Sequence, residues 1–290
     1  SAGTAPAGVI PPAAKGASKG KGKPGIRAMG RDDEWYGYCT DPTWDSYDYG
    51  TSDWDWSGYS EWAETTWDDS NDTQTAYTRS ITNPLGAIKY INQGKNNTVY
   101  LLQATDTDSP YLAAGQYRSY KGNAGKSKVT IGRLKRNLGN KSHVGLITTN
   151  RDYQVGGSGS VVEFDSLINF LDDYILDLNY AKSDTQEGHI DFIDSNETFA
   201  GRTYAMDGES FSGVAKNFRL RRAVNGSNWG IRFKDVSPTY RAHVGFVGRN
   251  DYKSRNYWYG RTYRSTGTIR RINFNWNNRN RLDYKNQKTQ

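Results

Sequence analysis

Between Val161 and Tyr252 the chain changes character at every second residue. Tyr174, Leu176, Leu178 and Tyr180 fall on one side of this period, with Asp177 and Asn179 on the other. Trp229, Ile231 and Phe233 alternate in the same way with Arg232 and Lys234. Val162, Phe164, Ile168 and Phe170 also take every second position, with Ser166 interrupting. Successive side chains of a strand point to opposite faces, so this period predicts strands and not helices. It suits a transmembrane β-barrel, apolar outside and charged inside. It suits equally a soluble sandwich or barrel whose apolar face lines a core.

Along the rest of the chain, strands are predicted at 75–81, 87–91 and 98–105, with turns at Asn83-Pro84 and 93–97. A hairpin is predicted from 128–137 and 143–150, turning at 138–141. Further strands follow at 161–170, 174–182, 211–221, 229–236, 241–251, 257–264 and 268–276, with a polar loop at 183–201. The expected fold is all-β and antiparallel, a transmembrane β-barrel of about ten to twelve strands or part of a larger barrel.

Composition sharpens the outline. Hydrophobic residues make up 35% of the 290, below the ordinary globular range of about 45–50%. Aromatics reach 13% and there are 31 glycines, which describes strands joined by many turns. The mean hydropathy of −0.87 argues against placing the whole chain in hydrocarbon. Cys39 is the single cysteine, so no internal disulfide forms. No apolar run approaches the ~18 residues of a membrane helix.

Charge divides the chain into three. The leader 1–31 is rich in Ala, Gly, Pro and Lys, and its only charges are Lys15, Lys19, Lys21, Lys23, Arg27 and Arg31. Such a segment buries too little to offset its ordering entropy and reads as a flexible leader. Residues 32–72 carry 13 acids, no Lys or Arg, and six of the nine tryptophans. The body, 73–290, is net basic.

Candidate chemistry follows this division. In the acidic belt, Trp44, Trp54, Trp56 and Trp62 offer faces on which sugar rings stack. Asp45, Asp48, Asp53 and Asp55 are hard oxygen donors and weak calcium candidates, since they lack EF-hand or RTX spacing. As a whole the belt could also fold into a basic barrel as a plug, or stay an irregular loop. In the body, Arg133, Lys135, Arg232 and Lys234 are expected to face an aqueous lumen, paired with carboxylates such as Asp165 and Asp177. A cationic lumen favours anionic solutes. Tyr257, Trp258, Tyr259 and Tyr263 suit an interfacial girdle or ordinary cross-strand packing. His143, His189 and His243 show no metal-ligand spacing. Ser142 and His143 are neighbours on a strand and point to opposite sides, so they form no dyad. No catalytic set and no cofactor site is predicted.

Several phrases in the body carry a resemblance. Tyr77-Thr-Arg-Ser-Ile81 precedes Asn83-Pro-Leu-Gly-Ala-Ile-Lys89; Thr130-Ile-Gly-Arg-Leu-Lys-Arg-Asn-Leu-Gly-Asn-Lys-Ser142 leads into Val144-Gly-Leu-Ile-Thr-Thr-Asn-Arg151. The most specific is Asp235-Val-Ser-Pro-Thr-Tyr-Arg-Ala-His-Val-Gly-Phe-Val-Gly-Arg-Asn-Asp-Tyr252. Over about Tyr77–Arg264 the chain resembles the uncharacterised bacterial outer-membrane β-barrel domain that usually follows a family-9-type carbohydrate-binding domain. That resemblance implies the Gram-negative outer membrane, while the family's biochemical activity is not established; the role expected here is a non-enzymatic, porin-like or anchoring subunit of an envelope assembly in contact with lipid, with no nucleic acid. Family barrels run on for further strands, which implies closure by additional strands or by other polypeptides. Two alternatives stay open: a soluble β-sandwich coat or assembly protein with a basic arm, and a secreted sugar-binding module.

Overall fold

The computed structural model describes Gly25–Met29 and residues 73–288, except 118, 140, 172 and 191–197. The acidic belt, with Trp44, Trp54, Trp56, Trp62, Asp45, Asp48, Asp53 and Asp55, lies outside the described residues. So does the leader, apart from Gly25–Met29, which composition alone assigned to a flexible arm and which forms a strand.

Eleven strands make one antiparallel sheet. In chain order they are β1 (Gly25–Met29), β2 (Pro84–Gln93), β3 (Asn97–Asp106), β4 (Ser127–Gly139), β5 (Ser142–Tyr153) and β6 (Ser158–Phe170). They continue with β7 (Tyr174–Gln186), β8 (Ser210–Val224), β9 (Ser227–Val236), β10 (Tyr252–Arg264) and β11 (Arg271–Leu282). Spatial order equals chain order, so every strand pairs with its sequence neighbours. Among the described residues β1 and β11 are the two edges and do not pair with each other. Among the described residues the sheet is therefore open, where the sequence predicted a barrel of about ten to twelve strands or part of a larger one.

Connections are unequal at the two ends. One end carries the short turns 94–96, 140–141, 171–173, 225–226 and 265–270. The other carries the turn 154–157 and the long connections 107–126, 187–209 and 237–251. The first long connection contains the hairpin Pro110–Ala114/Ser119–Asn123.

Two predicted strands are corrected. Residues 241–251 form a folded-in loop whose only strand is Phe246–Val247, paired with Thr73–Gln74. Residues 75–81 contain a 3-10 turn, Thr78–Ser80. Both segments turn inward and pack on the sheet, which a continuous strand could not do. In the other direction, β7 runs to Gln186, into the stretch read as a polar loop, and β11 runs to Leu282, past the predicted strand end at 276.

Register sorts the two faces. On one face a row passes through Val99, Leu134, Leu146, Phe164 and Tyr180. A second passes through Ile168, Leu176, Leu220, Ile231 and Tyr257. The first row stays open, with Leu134, Leu146 and Phe164 at 53%, 43% and 46% exposure, and the second is half-buried. The opposite face is closed. Ala87, Leu102, Val129, Ile131 and Ile147 of that face form a buried cluster with Ala76, Ile81 and Val244 from the inward segments. A second cluster joins Val161, Ala181, Ala215 and Val236 to Tyr240 and Val247 of the long connection 237–251. The core thus lies between one face of the sheet and its own connections, at the end bearing the long ones. No helix among the described residues is long and apolar enough to cross a membrane.

Candidate functional site: the polar inner face and its cap

Beyond the capped region, towards the short turns, the inner face becomes ionic. One row of partners runs Thr98, Lys135, Gly145, Asp165, Asn179, Asn217, Lys234 and Ser254. The next holds His143, Leu167, Asp177, Arg219, Arg232 and Asn256. Arg133, Lys135, Arg232 and Lys234 all lie on this face, opposite the apolar rows.

The charges are interlocked. Arg133 clasps Asp165 with both terminal nitrogens, one of them Nη2 to Oδ2 at 2.9 Å. The pair spans β5, and Gly145 is what lets it pass: a Cβ there would sit 2.7 Å from both the guanidinium and the carboxylate. His143 Nε2 lies 3.5 Å from Asp165 Oδ2. Arg219 donates to Asp177 at 2.8 Å. Asp165 and Asp177 are thus both countered by arginine, and the partner of Asp177 comes from β8.

Arg232 instead enters a chain of amides. Its Nε donates to Asn217 Oδ1 at 2.9 Å, Asn217 Nδ2 donates to Asn179 Oδ1 at 3.1 Å, and Asn179 Nδ2 donates to Glu163 Oε1 at 3.1 Å. Glu163 accepts a further hydrogen bond from Thr75 Oγ1, which lies 3.5 Å from Tyr240 Oη. This network carries the polar face into the cap. Lys234 Nζ sits 5.8 Å from the centre of the Tyr252 ring, over which the Arg281 guanidinium also lies, at 4.7 Å.

The cap is fixed by specific contacts. Tyr77 N donates to Val244 O at 2.9 Å, and Arg151 Nη2 donates to Ser80 O at 2.9 Å. His243 projects onto Gly159, where a Cβ would come within 1.9 Å of the ring. Its Nδ1 lies 3.0 Å from Tyr153 Oη and its Nε2 3.2 Å from Thr185 Oγ1. Burial, then the nearby cations Arg151 and Arg241, lower its pKa to about 3, so the ring is neutral at ordinary pH. Burial also raises the pKa of the Tyr240 phenol above its ordinary value. Arg241 stacks over Phe199 at 4.5 Å and donates to the carbonyls of Pro238 and Tyr240.

The outward face has two borders. Near the short turns, one register row reads Phe170, Tyr174, Arg222, Trp229, Tyr259 and Trp276. Phe170 stacks on Tyr174 at 5.4 Å, and Tyr174 meets Trp229 edge-on at 6.1 Å. Towards the long connections, the row Gln103, Thr130, Asn150, Ser160, Asp184 and Ser212 is polar throughout. Tyr257, Tyr259 and Tyr263 belong to the outward face, whereas Trp258 points inward over Gly230.

Sequence reasoning missed the Glu163–Asn179–Asn217 chain and the inward roles of Tyr240 and His243. The polar positions in the period of two signalled Asn179; nothing local signalled His243. The chain matches no family model, no curated protein and no solved structure.

Proposed function

We propose that this chain is a non-enzymatic outer-membrane β-barrel component, a channel or an anchoring subunit of a cell-envelope assembly in a Gram-negative bacterium. One observation carries the reading: an apolar band crosses the outward face, between an aromatic row and a polar row, while ionic ladders line the reverse. Lipid-facing barrel strands have this division, with aromatic girdles at the interfaces. On β6 the band runs from Val162 to Phe170, roughly 27 Å along the strand before tilt, against about 25 Å in such barrels. Short turns at one end and long connections at the other are also the arrangement of outer-membrane barrels. Edges cannot stay open in lipid, so β1 and β11 would be closed by further strands or by another envelope polypeptide. Basic side chains on the inner face favour an anionic solute or glycan over a cation.

The experiment is purification with and without detergent, followed by reconstitution. The chain is expected to need detergent and to fold into lipid vesicles with β-sheet circular dichroism. A monodisperse, folded chain in plain buffer would overturn the membrane reading and favour an assembly in which a second sheet covers the apolar rows.

A further inference from the structure

A second chemistry sits where β7 and β8 end. Their last register pair is Gln186 with Ser210, and beyond it Glu187 N donates to Glu209 O at 2.9 Å. Two residues further, His189 pairs with Asp207. This short extension sets Glu187 against Glu209, with Asp207 alongside. One oxygen from each of the three carboxylates lies within 4.8 Å of the others. Like charges placed opposite each other on paired strands destabilise the pair.

Among the described residues no hydrogen bond to the Glu187 carboxylate offsets this. The residue is only 6% exposed, and its Oε2 is buried without a hydrogen-bond partner. Glu209 Oε2 is buried without one as well; Arg202 approaches it at 3.8 Å, beyond hydrogen-bond reach. Asp207 accepts from Thr203 Oγ1 at 3.2 Å. The Arg241 guanidinium is near enough to be felt electrostatically, but its hydrogen bonds go to the carbonyls of Pro238 and Tyr240. A buried carboxylate oxygen lacking a donor is costly, and a cation is the natural complement.

We propose that Glu187, Asp207 and Glu209 bind one hard divalent cation of the calcium class at the root of the 187–209 connection. Calcium takes oxygen ligands at about 2.3–2.6 Å, so oxygens sharing one ion lie up to roughly 5.2 Å apart. The three carboxylates meet that limit, and the ion converts their repulsion into attraction. Burial, then Glu209 and Asp207, raise the pKa of Glu187 to about 7, against the pull of Arg241 and Arg202. Protons therefore compete with the cation as pH falls below about 7.

The test compares the full chain with Glu187→Gln, each with calcium chloride or magnesium chloride at pH 7.5. Calorimetric titration is read together with hydrogen exchange across 198–211. Calcium is expected to bind wild type at least tenfold more tightly than the variant and to raise protection in that segment. Without calcium, Glu187→Gln is expected to be the better protected, because it removes the repulsion. That reversal separates a cation site from a folding defect, and from binding by the acids of 32–72. Equal calcium response of both proteins in 198–211, or no reversal, would overturn the proposal. The outcome is independent of whether the sheet faces lipid.

Discussion

Acid should loosen the cap through His243. In the closed cap its pKa is about 3. Once the 237–251 loop lifts away, the ring returns to its ordinary value of about 6.5. Between these values the open form binds more protons than the closed one. Stability of the closed cap is therefore complete above about 6.5 and is lost as pH falls towards 3. At pH 4.5 the gap is two units below the ordinary value; at about 1.4 kcal/mol per unit this is roughly 2.7 kcal/mol, or a hundredfold in the open population. The residue keeps partial exposure, so screening reduces the effect, and about tenfold is the least the reasoning allows.

The reporters are two amides that the cap itself protects: Tyr77 N, donating to Val244 O, and Gly245 N, donating to Ala242 O. Their hydrogen exchange is compared between pH 7.5 and pH 4.5, after correction for intrinsic rates, in wild type and His243→Gln. The glutamine can still hydrogen-bond Tyr153 and Thr185 but does not titrate. Glu187 works in the opposite direction: its raised pKa favours the folded state at low pH, and that contribution disappears as pH rises through about 7. Being common to both proteins, it cancels in the comparison. Wild type should lose protection tenfold to a hundredfold more than the variant. Equal losses would refute the assignment of acid sensitivity to His243.

Other outcomes follow from the two faces. Asp165→Asn leaves Arg133, 4% exposed, without its countercharge, and should cost about 3–5 kcal/mol in chemical denaturation, whereas replacing both residues by apolar ones of similar volume should cost far less. Leu146→Arg, in the middle of the apolar band, should cost about 2–4 kcal/mol of folding into vesicles, against roughly 0–1 for Asn150→Arg on the polar row; equal costs would count against lipid contact. Gly145→Val should mimic Asp165→Asn, because the added side chain occupies the space where the ion pair crosses β5, and a wild-type melting curve would show that the pair can reroute.

Strand alternation was readable wherever one face is apolar and the other is not. Tyr174–Tyr180 and Trp229–Lys234 face as the period of two requires. Reading failed where the two faces have the same polarity. Residues 183–186 alternate only between small hydroxyls under the cap and polar groups outside, so the strand has no hydrophobic signature. Residues 277–281 are polar on both faces, for among the described residues β11 is an uncovered edge. The converse error fell on 241–251, which is apolar enough for a strand but, together with the preceding Tyr240, buries Val244 and Val247 at spacings of four and three. Those spacings describe a loop folded over a surface. The ion pairs were half legible: Asp165 and Asp177 could be named from the polar positions. That Arg133 reaches across a whole strand depends on Gly145, and sequence adjacency does not reveal it.

The two faces together constrain what surrounds the sheet. Several strands are apolar on both sides over the same stretch: Val161 points inward and Val162 outward on β6, Ile147 inward and Leu146 outward on β5. A strand of a simple two-layer protein has one such side and turns the other to water. Here the inward side is already covered, by Tyr240, Val244 and Val247 of the chain's own connection. The outward side therefore requires a second apolar environment that the described residues do not supply. A partner sheet would have to match a band that runs from β3 to β7 in one register row and from β6 to β10 in another, with ring-bearing side chains collected along one border. Hydrocarbon needs no such match, and its interfaces favour aromatic side chains at that border. That difference in what each environment demands makes lipid the stronger candidate. It also makes the paired substitutions Leu146→Arg and Asn150→Arg informative when the cost is measured for folding into vesicles, where no partner sheet is present and hydrocarbon is what penalises the first and spares the second.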